Sequence, residues 1–269
     1  MMLLPWKTKQ AQLIEKNLEN AFIAMSTQQK QYQDSRYIFS KIPHPVFNCV
    51  IRARTTEHAA EETIQTILQD YKAHNTPHCW WITENSEPQE ISKHLKKLGF
   101  QKGPNYRGMY AKLNDINLDF EISSKIQIQE ITEINTFDAW VRPLAESFEF
   151  TPDVEKAFSN CYQDLFYRDK RFISYIAFYD NHPAGATTLF LDNDSAGLYN
   201  GGVFTQFRDK GVLSHLGRTM LLEAKKRGVE EVVVQVSEAA HNMAIKAGFK
   251  EYINFQSYLS PVFNNILKF

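Results

Sequence analysis

Apolar residues recur at helical spacing in several stretches of the chain. Ile14, Leu18, Ala21, Phe22 and Met25 fall on one helix face, as do Ala60, Ile64, Ile67, Leu68 and Tyr71. A third face is Val154, Ala157, Phe158, Cys161 and Leu165, and a fourth is Leu213, Leu216, Gly217, Met220, Leu221 and Ala224. Between them lie runs of strand character at 45–50, 79–82, 172–178, 187–191 and 231–236. Phe172 to Tyr179 and Ala184 to Leu191 flank Asp180-Asn181-His182-Pro183, a turn-forming cluster that predicts a hairpin. Helices and strands in this mixed order predict an α/β (α+β) fold with strands in a common sheet.

The same order occurs twice. Residues 58–113 read as helix, apolar strand, Ser86-Glu87, helix, Gly99-Phe100, then a strand pair ending near Tyr110. Residues 211–259 read as helix, apolar strand, Ser237-Glu238, helix, Gly248-Phe249, then a strand ending near Tyr258. An ordered match of this length predicts an internal duplication. The polar stretch 112–124 marks the seam, giving domains 1–120 and 121–269. The copies differ just before the helix that opens each one. The second has Leu198 to Ser214, rich in glycine; the first has Asn48 to Thr55, with none.

Composition narrows the function. The chain has 269 residues, 43% of them hydrophobic, enough for one large core or two modest ones. Lys+Arg total 30 and Asp+Glu total 31, so no basic excess favours nucleic acid. Three scattered cysteines without a CxxC pair predict neither a disulfide framework nor a zinc site. No metal is expected. The opening apolar run is short for a signal peptide, and no stretch approaches a membrane span. A reduced, cytoplasmic setting is the simpler expectation, with signal-less export left open.

The segment 198–227 carries the candidate chemistry. A strand enters, the chain turns at Arg208-Asp209-Lys210-Gly211, and a helix begins. The first amides of that helix have no intrahelical acceptor and sit at the positive end of its dipole. Gly211 allows close approach, so Val212, Leu213 and Ser214 with Arg208 and Lys210 form a site for a pyrophosphate. Gly201-Gly202 inside the strand predicts a bulge that splays it from Val232 to Val236. Backbone groups freed around Val203, Phe204 and Thr205 can then read an extended, amide-bearing ligand. Pyrophosphate plus an amide-bearing arm describes coenzyme A.

Here the sequence resembles motif A of the GCN5-related N-acetyltransferases (GNAT), whose loop reads Arg/Gln-x-x-Gly-x-Gly/Ala. Arg208, Gly211 and Ser214 match in register, and Val-Ser-Glu…Ala-Gly-Phe at 236–249 resembles the family's following strand, helix and Gly-Phe. The resemblance covers 126–259 and implies two acyl-CoA N-acyltransferase (GNAT) folds in tandem, each a mixed sheet flanked by helices. The first is degenerate and lacks the cofactor loop. Two positions depart from the family. Leu213 stands where Gly or Ala is usual and fits the apolar helix face. Ala244 stands where many members carry the tyrosine that protonates the leaving thiolate, and it fits a face with Ala240, Met243 and Ala247.

The resemblance implies acetyl transfer from acetyl-CoA to an amine of a small molecule or protein, by direct attack in a ternary complex. A non-catalytic acyl-CoA-binding module, a longer acyl group and a scaffold without cofactor stay open. A backbone N–H near Val203 or Phe204 would polarise the thioester. Glu146, at the end of a helix with Trp140, Val141, Leu144, Ala145 and Phe148, is the candidate base, and Tyr199 faces the reacting centre. His241 is placed against the pantetheine arm. His74 and His78 read as a surface pair, and Trp80-Trp81 as core packing of a buried strand. The acceptor and the oligomeric state are not legible.

Overall fold

The computed structural model describes residues 7–119 and 122–261. Phe120 and Glu121, inside the expected seam, and the first six residues, which hold the opening apolar run, lie outside the described residues. The described residues form two compact units. The first runs to Gly108 and adds Val236–His241 and the described residues from Glu251 on; the second runs from Met109 to Gln235 and adds Asn242–Lys250. This division is not the linear one at 120, because the last strands return to the first unit.

The first unit begins with helix α1 (Lys9–Met25), started by Thr8, whose hydroxyl accepts the Ala11 N–H. Strands β1 (Gln28–Tyr32) and β2 (Ser35–Phe39) form a hairpin. Then come β3 (Cys49–Arg52), α2 (Ala60–Ala73), β4 (Cys79–Ile82) and α3 (Ile91–Lys97). Strand β5 (Gln101–Lys112) follows as one continuous strand rather than a pair; its residues divide between the units after Gly108. The expected strand at 45–50 starts late. Pro45–Phe47 form a 3-10 turn, pinned by Asn48, whose buried amide donates to the carbonyls of Ile42 and His44. Strands β3 and β4 run parallel, with Cys49 opposite Cys79, and β4 pairs antiparallel with β11 (Lys250–Leu259). Ile64, Ile67, Leu68 and Tyr71 of α2 pack with Trp80, Ile91, Leu95 and Phe100 in a core that exposes almost nothing. His78 belongs there too. It is buried, stacked on Tyr71 at 4.0 Å, so it is not the surface residue expected from its loop.

The second unit holds β6 (Ile126–Glu130), α4 (Phe137–Ser147), α5 (Pro152–Arg168), β7 (Phe172–Tyr179), β8 (His182–Leu191), β9 (Ala196–Val203), α6 (Val212–Lys226) and β10 (Glu231–Val236). The sheet runs β10-β9-β8-β7-β6, parallel between β10 and β9 and antiparallel elsewhere. The β7–β8 hairpin turns on Asp180 and Asn181 alone, both at positive φ, as a tight hairpin turn requires; His182 and Pro183 already belong to β8. In α5 the buried stripe passes through Tyr162 rather than Cys161. Tyr162 stacks with Trp140 of α4, at 4.7 Å, and with Phe158.

The two Gly-Phe pairs close their helices in the same way. Gly99 and Gly248 both have positive φ. In each, the next residue's N–H reaches back five residues (Phe100 to Leu95, Phe249 to Ala244) while the glycine N–H reaches back three. That is the same Schellman cap at the end of α3 and of α7 (Glu238–Ala247). Asn75 after α2 and Gly228 after α6 repeat it. Among the described residues no helix is long and apolar enough to cross a membrane.

Candidate functional site

The site grows from an irregularity in β9. Ala186 of β8 faces Gly202, but Thr188 faces Tyr199, so β8 advances two residues while β9 advances three. The extra residue is a bulge at Asn200–Gly201, with Asn200 at φ +56°. Its side chain stabilises the turn, donating to the Tyr162 hydroxyl at 2.5 Å and to Thr188 at 3.3 Å. On the other edge, β9 pairs with β10 only from Ala196 to Leu198. Beyond Leu198 the two parallel strands no longer face each other in register, so the predicted splay is present.

Space is tight on both faces there, most of all at Gly202. A Cβ on Gly202 would sit 2.9 Å from Leu144 Cδ2 and from the Pro143 carbonyl oxygen, and one on Gly201 would sit 3.1 Å from Leu213 Cδ1. Leu213 is half-buried against Gly201 rather than in the core with Leu216 and Met220. Val212 supplies the buried residue at the helix start.

The turn that follows ends at Gly211, the N-cap of α6, at φ +82°. No side chain caps this helix, and no acid lies in its first turn. The amides of Val212, Leu213 and Ser214 precede the first intrahelical bond, which His215 N–H makes to Gly211. The His215 ring fixes that carbonyl. Its Nδ1 lies 2.8 Å from the Gly211 oxygen, and its Nε2 accepts the Ser123 amide at 3.0 Å. Arg208 and Lys210 are exposed, and Lys210 Nζ lies 5.0 Å above the Tyr179 ring and 5.3 Å from that of Phe207. Ser214 donates to Met243 Sδ at 3.8 Å. Met243 is exposed, so it leaves the apolar face on which Ala244 is buried.

The expected site groups already have neighbours within the chain. The Val203 N–H already donates to Ser147 Oγ at 3.0 Å, and the Phe204 N–H to the Ala184 carbonyl at 3.0 Å. The Thr205 amide donates to Glu146 at 2.7 Å. Glu146 thus holds the chain after the bulge. That bond, with the Thr205 hydroxyl and the nearby charge of Arg208, keeps its carboxyl below the usual range. Tyr199 is half-buried; burial, with Tyr162 and Asp192 beside it, pushes its phenol well above the usual value. It is a hydrogen-bond donor at neutral pH. His241 lies in the first unit, 3.2 Å from the Glu251 carboxylate. Ser147 was not singled out from sequence, since a serine at a helix end carries no distinctive signal.

The first copy lacks this arrangement. After Val50 and Trp80 the gap between β3 and β4 closes again. Thr55 N–H donates to the Glu87 carbonyl and Glu87 N–H to that of Ala53. Helix α2 carries Glu61 and Glu62 in its first turn. Among the described residues no group of three or more His, Cys, Asp or Glu side chains is placed to hold a metal.

A parallel strand pair splayed by a bulge, followed by an uncapped helix start, is the arrangement of a GNAT fold. Residues 137–249 match the acetyltransferase (GNAT) family, and the chain has the GNAT fold. Among solved structures it is similar to a GCN5-related N-acetyltransferase from Kribbella flavida, with TM-score 0.73 at 9% identity over 93% of this chain and 95% of that one. A functionally unknown conserved protein from Staphylococcus epidermidis gives 0.66 at 11% identity, over 88% and 94%. A tandem GNAT protein from the clavulanic acid biosynthesis pathway gives 0.57 at 12% identity, over 84% and 77%. At these identities the likeness is one of fold. No curated protein sequence matches the chain.

Proposed function

We propose that the second unit binds acetyl-CoA and transfers the acetyl group to an amine. The observation that carries this reading is the open edge of β9 beyond Leu198 beside the uncapped start of α6. The bound thioester supplies an activated acetyl group. The amides of Val212, Leu213 and Ser214, with Arg208, would hold its pyrophosphate. The edge of β9 around Val203 to Thr205 would take the amide-bearing arm, with Ser147 releasing the Val203 N–H to the thioester carbonyl.

The amine nitrogen attacks the carbonyl carbon; the C–N bond forms, the C–S bond breaks and the nitrogen proton passes to water. Glu146 serves first as a positioning residue, because it is engaged with Thr205 and its basicity is depressed. With Ala244 at the usual tyrosine position, water protonates the thiolate. A thiol-release assay with acetyl-CoA and an amine panel tests the reading; tight CoA binding with no turnover on any amine would favour a non-catalytic acyl-CoA binder instead.

A further inference from the structure

The first unit contains a cavity that the acyl-transfer reading does not use. It lies under α1, at the ends of β3 and β4, and measures about 160 Å³. A dry cavity of about 150 Å³ already accommodates benzene, whereas drug-sized ligands occupy about 300 Å³ or more. The occupant is therefore small.

Its chemistry is uneven. Glu15 of α1 presents a carboxylate that accepts from the Thr83 hydroxyl at 2.7 Å and the Asn85 amide at 2.8 Å. Both donors are neutral. Among the described residues no cation lies within ion-pair distance of Glu15, although Arg54 acts on it from further off. The neighbouring Glu19 is different: it is neutralised by Arg36 at 2.5 Å and Arg52 at 2.6 Å. A half-buried carboxylate held only by neutral donors is stabilised when a cation joins it. Trp81 also lines the cavity. It is 7% exposed. Arg54, exposed at the rim, and the apolar surfaces of Phe22, Ile51 and Phe255 complete the wall.

We propose that this cavity binds a small zwitterion of amino-acid type, its ammonium on Glu15, its carboxylate toward Arg54, and its side chain against the apolar wall. The closed strand gap beside it leaves no free edge for an extended ligand, so the site is not a second CoA site.

Binding is coupled to protons. Burial raises the Glu15 carboxyl, and nearby Glu84 adds to this, while Thr83, Asn85 and Arg54 oppose it. Glu19, paired with its two arginines, and Lys16 are the other charged groups of α1 at the cavity. An arriving ammonium lowers the carboxyl again, so binding releases protons and strengthens as pH rises through that window.

The test is calorimetry on the full chain with each of the common L-amino acids, in two buffers of different ionisation enthalpy. The expected result is saturable binding of at least one, with proton release. Its decarboxylated and deaminated analogues should each bind about tenfold more weakly or worse, equivalent to about 1.4 kcal/mol. Glu15→Gln should weaken binding by a similar factor and abolish the proton release, with CoA binding unchanged. Arg54→Gln should weaken the amino acid but not the amine analogue; that variant decides if Glu15→Gln fails to fold by circular dichroism. No saturable binding by any amino acid, analogues binding as well as the parent, or indifference to the substitutions would overturn the proposal.

Discussion

The Glu146 carboxylate accepts the Thr205 amide at 2.7 Å, and one residue on, the Ser147 hydroxyl accepts that of Val203 at 3.0 Å. The end of α4 thus grips the chain on the far side of the bulge. In an acyltransferase reading these are the amides a thioester arm would use, so the grip and the ligand compete for one of them and cooperate through the other.

Removing the grip on Val203 should favour the ligand. Ser147→Ala leaves the Val203 N–H free, and a neutral hydrogen bond contributes about 0.5–1.5 kcal/mol net. Acetyl-CoA affinity should rise by about two- to tenfold, read by calorimetry. A marked loss of affinity would give Ser147 a direct role in holding the ligand.

Glu146 separates positioning from base catalysis. Glu146→Gln keeps an acceptor for Thr205 but removes the base. The positioning role predicts kcat within a few-fold of the parent, and a larger loss in Glu146→Ala. A base would lose about 10²–10⁴-fold in both variants.

The same carboxylate predicts a pH dependence. Its folded-state pKa is lowered, so the bond to Thr205 is present above the unfolded value and fades as pH falls through the lowered one. Amide exchange at Thr205, corrected for intrinsic rates, should quicken on acidification in that range. Glu146→Gln should remove the dependence.

Gly202 makes a structural test. Gly202→Ala places a methyl 2.9 Å from Leu144 and from the Pro143 carbonyl. Overpacking against backbone costs about 1–3 kcal/mol, so Tm should drop clearly. An unchanged melt would mean that α4 does not sit tightly on β9.

Much of this was legible in the sequence because it depends on local chemistry. Helical spacing located α1, α2, α5 and α6, glycine at 201–202 located the bulge, and Gly99-Phe100 and Gly248-Phe249 located matching caps. Strands β1 and β2 were missed, since Gln28 to Tyr32 is a polar edge with no alternation to detect. The linear seam misjudged nothing local, but strand return is a long-range property: β11 pairs with β4 across more than half the chain. Of the candidate donors, Val203 ends β9 and Phe204 follows it. Their partners, Ser147 and Ala184, are brought there by tertiary packing that no spacing rule encodes.

The account turns on Gly211 opening α6 to a phosphate, and on the absence of any equivalent opening at α2. The most direct measurement is calorimetric titration of the full chain with CoA, beside Gly211→Ala and Gly211→Asp. A left-handed φ strains either side chain by about 1–2 kcal/mol, so alanine controls for backbone strain and aspartate adds charge opposition. The expected result is one CoA per chain, weakened in Gly211→Ala and lost in Gly211→Asp. Two equivalents per chain, or undiminished binding in Gly211→Asp, would contradict it.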